Sequence, residues 1–231
     1  MRSRNFIALC IFLGLVILGL LIWRNSLRAH QESNRAAIAI DKRPAAYTSH
    51  TFDPNAPPSD MPSLAYGEEA VCDSDFSSHT TVGGLSEKTD ATHATVTITT
   101  VKMILQLSVN IWVPAGVTQH VVEHENGHRQ ISEYYYQTAD KLADRVASSY
   151  VGTKVDITGA DLNAEFEKAL SQAANDITTE YGKDINLAAT QQYYDTITDH
   201  GRSESDSKQA MVAAIDNTKT TSLQPPIEAA K

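Results

Sequence analysis

The sequence predicts an α+β domain in which a small β-sheet is followed by a long antiparallel helical hairpin, with a membrane helix ahead of both. Three observations carry this. Residues 94–113 alternate β-branched or apolar residues with polar ones, the pattern of strands that bury one face. From Val117 the spacing changes to three and four residues, through Val121, His124, His128, Ile131, Tyr135, Ala139, Leu142 and Val146, and a second stretch from Leu162 to about Ile197 repeats it. Residues 6–23 form an unbroken apolar run with arginines on both sides.

Taken in order, residues 1–5 are a short cytoplasmic stub carrying Arg2 and Arg4. Residues 6–23 reach the lower end of the length that spans a bilayer as a helix. No small-x-small cleavage signal follows Trp23, so the run reads as an uncleaved signal anchor, with the lipid bilayer as its partner. A short, positively charged stub stays inside, which places the rest of the chain outside the cytoplasm. Residues 24–65 read as a Pro-rich linker, because Pro54, Pro57, Pro58 and Pro62 oppose regular helix. The early part of that linker, through Ile40, can extend the membrane helix before Pro44.

Residues 66–205 then form the domain. Residues 70–72 and 80–84 predict short strands, with Gly83-Gly84 as a hairpin corner, and residues 94–101 and 103–113 predict two more before Pro114 ends the sheet. A helix of about thirty residues follows to near Gly152, then a loop, then a second long helix from Asp161. Two such helices joined by a short loop pack as a hairpin. Residues 206–231 read as a polar, partly disordered tail with at most a short helix at 209–215.

Charge narrows the function. Residues 66–205 carry 21 acids against nine Lys and Arg, a balance that repels phosphate backbones and argues against nucleic acid as a partner. It suits a cationic substrate or a divalent metal. With only Cys10 and Cys72 available, histidines and carboxylates must supply any metal site.

The stretch His124-Glu125-Asn126-Gly127-His128 supplies the chemistry, since it fits the zinc-protease pattern H-E-x-x-H. On a helix, His124 and His128 are offset by about 40° and roughly 6 Å, so both imidazoles can hold one zinc ion, with Glu125 beside them as general base. A catalytic zinc needs a third protein ligand. The metzincin extension is absent, because Tyr134 stands where its third histidine belongs. His120 lies roughly 12 Å along the axis from His128 and cannot share its ion. Mirroring the two helices about their loop puts Glu180 and Asp184 opposite the histidines. The alternative is the segment 193–201, which reaches the site with His200 if the chain turns back after about Tyr194.

These two segments resemble a bacterial family of secreted or anchored domains of unknown function, predicted to be zinc-dependent proteases. Its members pair an H-E-x-x-H helix with a downstream Y-D-x-x-T-x-H-G, matched here by Tyr194, Asp195, Thr198, His200 and Gly201. The resemblance covers residues 66–201 and implies a zincin-like fold with one zinc per chain. Weighed together, the two arguments make His200 the leading third ligand, with Asp184, Glu180 or Asp195 as alternatives. Asp195 otherwise suits a hydrogen bond to the outer N–H of a ligand imidazole, and Tyr194 could donate to the oxyanion of a tetrahedral intermediate. In zincins an edge strand beside the zinc helix binds extended substrate, a role for residues 104–112 here. The expected protein is a single-pass metallopeptidase of the bacterial inner membrane that acts on peptides or proteins in the periplasm or at the cell exterior. A non-catalytic metal-binding or interaction module of the envelope, or a cell-wall peptide amidase, is the alternative.

Overall fold

The computed structural model describes residues 37–64, 67–203 and 206–222. Its five strands are β1 (Ile38–Lys42), β2 (Ala46–Phe52), β3 (Val71–Lys88), β4 (His93–Pro114) and β5 (Lys154–Thr158). The helices are α1 (Gln119–Gln137), α2 (Ala139–Tyr150), α3 (Leu162–Ile185), α4 (Leu187–Thr198) and α5 (Ser207–Ser222). The architecture is α+β.

The 22-residue β4 is the spine of the sheet. One of its edges pairs antiparallel with β3 along almost its full length. Its other edge takes three short strands laid end to end: β5 antiparallel at residues 93–97, β1 parallel at 101–105 and β2 parallel at 108–114. Residues 104–112 are therefore central, with neighbours on both edges at all but the two-residue gap 106–107 between β1 and β2, and cannot serve as the substrate strand. β3 is the long edge strand on its side of β4, and β1, β2 and β5 form the opposite edge.

The two strands expected at 94–101 and 103–113 are one strand with a bulge. Buried residues fall at Ala94, Val96 and Ile98, then at Val101, Met103, Leu105, Leu107, Val109 and Ile111, so the parity changes once. The register shifts at the same place, where Gly83 opposes Thr100 and Gly84 opposes Ile98. One extra residue on β4 keeps the apolar set on one face despite the change in sequence parity. The glycines let the strands approach here, since a Cβ at Gly83 would lie 2.4 Å from Thr100 Oγ1. Gly83-Gly84 is thus a bulge and not a hairpin corner. The turn lies at residues 89–92, where the Asp90 carboxylate accepts the Thr92 N–H at 2.7 Å.

The predicted hairpin is cut into shorter helices. The first breaks at Thr138 and the second at Asn186, which sits in the left-handed region at φ 53°. Asparagine tolerates that conformation better than most residues. Ile177, Ala173 and Tyr181 of α3 and Ala139, Ala143 and Val146 of α2 pack on the buried face of the sheet. A smaller cluster joins Ile131 of α1 and Tyr194 of α4 to Ala210, Ala214 and Ile215 of α5.

Two segment assignments change. Residues 38–52 contribute β1 and β2 to the sheet, so the stretch 24–65 is not simply a linker and Ile40 is in a strand. Residues 207–222 form a packed helix, where a polar tail was expected. Residues 1–23 lie outside the described residues, and no helix among the described ones is long and apolar enough to cross a membrane.

The packing of α5 gives a test. Ile215 is 6% exposed. Replacing it with Ala should destabilise the domain by about 2 kcal/mol or more in denaturant unfolding, whereas a disordered tail would register no change.

Candidate metal centre

Pro114 ends β4 and α1 begins at Gln119, so the H-E-x-x-H segment falls inside the first helix. The His124 and His128 rings stand edge to face with centroids 4.7 Å apart. Their Nε2 atoms are 3.2 Å apart. Asp195 of α4 completes the group, its Oδ1 lying 2.8 Å from His128 Nε2 and 3.5 Å from His124 Nε2. A triangle with these sides has its centre roughly 1.9 Å from each corner, just inside the 2.0–2.2 Å of Zn–N and Zn–O bonds, so one ion slightly above its plane can reach all three donors. These three residues could hold a metal ion.

The polar accounting agrees. Asp195 Oδ1 is buried and faces only two imidazole nitrogens, which serve as its partners when they carry a proton and leave it orphaned when they turn lone pairs to it. An orphaned carboxylate oxygen is costly unless a cation lies beside it. Burial works against ionising Asp195, but the two imidazoles outweigh it and hold its carboxyl well below the usual carboxylate range. Burial pushes His124 below the ordinary histidine value. It pulls on His128 too, but there Asp195, Glu125 and Gln191 prevail and the pKa is raised.

Several residues hold the donors in place. His128 Nδ1 faces Gln191 Oε1 at 2.5 Å, and the Gln191 amide donates to His128 O and Ser132 Oγ, both at 3.0 Å. With its N–H on Nδ1, His128 turns the Nε2 lone pair to the centre. The Tyr194 ring stacks on His124 at 5.0 Å and 9°. That contact needs Gly127, because a Cβ there would lie 2.1 Å from the Tyr194 hydroxyl. Gly201, at φ 77°, also lies against His124, and a Cβ there would come 2.8 Å from its Cγ. The hydroxyls of Tyr135, Thr190 and Thr218 meet at 2.6–3.2 Å and tie α1, α4 and α5 together.

Glu125 is 4% exposed and its pKa is pushed up to about 7, first by burial. Glu68 and Asp195 add to the rise, while His128 and the Cys72 backbone N–H oppose it. Together with His128, Asp195 and Glu68, it lines a cleft of about 1010 Å³. The residues of β3 from Val71 to Ser78 form one wall of this cleft, and Ile185, Asn186 and Leu187 stand on another.

Of the residues expected at the site, His124, Glu125 and His128 converge, and Asp195 takes the third-ligand position expected of His200. His200 instead pairs through Nδ1 with Glu68 Oε1 at 3.3 Å. The left-handed turn at Asp199 and His200 directs it past the triad. Glu180 accepts from Tyr150 and Asp184 pairs with Arg145, both away from the centre, because residues 154–158 form β5 in place of a plain loop and this part of α3 lies against α2, not against the histidines of α1. Tyr194 is fully buried and donates to His124 O at 3.3 Å, which rules it out as an oxyanion donor in this arrangement. Gln191, Glu68 and the Cys72 N–H were not anticipated. A signal for Gln191 exists, since it stands four residues before Asp195 and so on the same helical face.

Fold and site together define an α+β protein with a candidate three-donor metal centre on an H-E-x-x-H helix. No protein-family model matches the chain, and no curated protein and no solved structure matches it either.

Two substitutions test the geometry. Gln191→Leu should weaken zinc affinity about 10- to 100-fold in a chelator competition with the fold intact. Tyr194→Phe should bind zinc as the wild type does, because it keeps the ring on His124 and removes only a hydroxyl bonded to the His124 carbonyl and the Ser207 side chain, neither of them a metal donor.

Proposed function

We propose that the protein is a zinc metallopeptidase, carried on the bacterial inner membrane by residues 6–23 and hydrolysing extended peptides outside the cytoplasm. The observation that carries this reading is that Glu125 and two of the three donors, His128 and Asp195, line a cleft bordered by the edge strand β3, with His124 buried directly behind them. A structural zinc site is closed by four protein ligands, whereas a catalytic one has three and opens to substrate. The resemblance of residues 124–128 and 194–201 to predicted zinc-dependent proteases supports the same assignment.

His124, His128 and Asp195 would hold the zinc ion, which when bound supplies Lewis acidity that polarises the scissile carbonyl and acidifies water. Glu125 takes the proton from the attacking water and passes it to the leaving amine. The Cys72 N–H, which hydrogen-bonds the Glu125 carboxylate, fixes that base relative to β3. Gln191 keeps His128 in the metal-binding tautomer throughout.

The substrate strand is β3. Cys72 directs its N–H towards Glu125 and away from β4, so by the two-residue alternation of an antiparallel strand Ser74 and Phe76 present theirs outward as well. An extended peptide in the cleft can pair with these groups as an added strand. Phe76 and Leu187 give the cleft an apolar surface for its side chains.

Glu125→Gln should retain zinc and lose at least about 10³-fold in turnover of a fluorogenic peptide library, general-base transfer alone being worth 10²–10⁴. Unchanged turnover would refute the mechanism. Ser74→Pro removes one outward N–H without touching the ladder to β4. It should raise KM about 3- to 10-fold, the worth of one hydrogen bond, with zinc content unchanged.

A further inference from the structure

His200 is the part of the downstream motif that the mechanism leaves unused, yet the chain goes to some length to place it. Asp199, His200 and Gly201 are left-handed in succession, at φ 49°, 55° and 77°. The His200 N–H bonds back to Asp195 O at 2.9 Å, closing a reversal at the end of α4. Non-glycine residues leave the favoured regions only where the surrounding structure compels them. The result is that His200 returns to the neighbourhood of the residue that completes the first metal group.

We propose that Glu68, Asp195 and His200 form a second cation site, so that the Asp195 carboxylate bridges two divalent ions. This rests on the metal reading of the His124, His128 and Asp195 group. One donor atom from each of Glu68, Asp195 and His200 lies within 4.8 Å of the others, and Glu68 Oε1 is 3.3 Å from His200 Nδ1. One imidazole and two carboxylates make a donor set for zinc or manganese. Donors on opposite sides of one ion stand about 4–4.4 Å apart at zinc bond lengths, and the 3.3 Å between Glu68 Oε1 and His200 Nδ1 falls within that span.

Enclosure and charge point the same way. The Glu68 and Asp195 side chains are 20% and 21% exposed, and that of His200 is 37% exposed, so the group is sheltered yet reachable from solvent. Glu68, Glu125 and Asp195 bring three carboxylates to one end of the cleft. A single divalent ion leaves that end negative, and a second reverses the balance. A carboxylate has two oxygens, and Asp195 presents one of them to the histidine pair, which leaves the other for the Glu68 and His200 side. Paired ions in hydrolytic centres lie about 3.5–4 Å apart, a separation that one shared carboxylate spans, and the second ion there steadies the attacking or leaving group.

The test is metal stoichiometry of the full-length chain after equilibrium dialysis against zinc sulfate and, separately, manganese chloride. The expected result is two ions per chain in the wild type and one in both His200→Gln and Glu68→Gln, with circular dichroism and thermal unfolding confirming that the variants are folded. The manganese-loaded protein should give the electron paramagnetic resonance spectrum of a spin-coupled pair. One ion in the wild type, kept in His200→Gln and lost in His124→Ala, would overturn the second site and leave the first standing. Loss of all metal in a folded His200→Gln would also overturn it, by making His200 a ligand of the first ion. No metal in any form would remove both.

Discussion

The contact on which the site depends is the seating of Tyr194 against α1. Its ring lies flat on His124 and its hydroxyl reaches the His124 carbonyl, which is possible only because position 127 has no side chain. This brings α4 so close to α1 that the next residue, Asp195, meets both imidazole nitrogens. A methyl group at 127 would displace a fully buried tyrosine and, with it, the third donor. The site is therefore set by packing first and by ligand chemistry second. Side chains in a close-packed interior cannot yield by an ångström without disturbing their neighbours.

Rigidity comes from elsewhere. The long β4 strand anchors four other strands, and its buried face supports α2 and α3, so the sheet and the break at Asn186 together fix where the cleft lies. The helix carrying the histidines is held from the far side by α5 through Ala210, Ala214 and Ile215, and by the hydroxyls shared among Tyr135, Thr190 and Thr218. Buried hydroxyls that satisfy one another give directional restraint that apolar packing lacks. Elements distant in sequence, at 38–52 and 207–222, are thus structural parts of the same unit as the histidine helix.

The sequence showed the α+β class, the period change after Pro114 and the convergence of His124, Glu125 and His128, because each depends on local spacing. It also singled out the segment 194–201. The choice of Asp195 over His200 within that segment was not legible, since it turns on three consecutive left-handed residues of which only Gly201 advertises that conformation. Glu180 and Asp184 were favoured by a hairpin mirrored about a plain loop, but that connection holds β5, and the two acids face Tyr150 and Arg145 of α2. The bulge at Gly83-Gly84 resembled a turn because two glycines serve either purpose. β1 and β2 were hidden by the prolines beyond them and by their pairing partners, which lie some 60 residues away along the chain.

Electrostatics joins these parts into one argument. A buried carboxylate at 125, an orphaned oxygen at 195 and a further carboxylate at 68 are a poor arrangement for a protein that carries no cation, because like charges meet where water is scarce. The protein on its own answers with protons, raising Glu125 and His128 while His124 stays low. A divalent ion would perform the same neutralisation more completely, and in doing so it would free Glu125 to ionise beside the cleft. In the proposed function, binding a cation and arming the base would be one event. A ligand that binds only the folded state adds its binding free energy to folding, so a metal held there would also stabilise a geometry that packing alone holds against electrostatic repulsion.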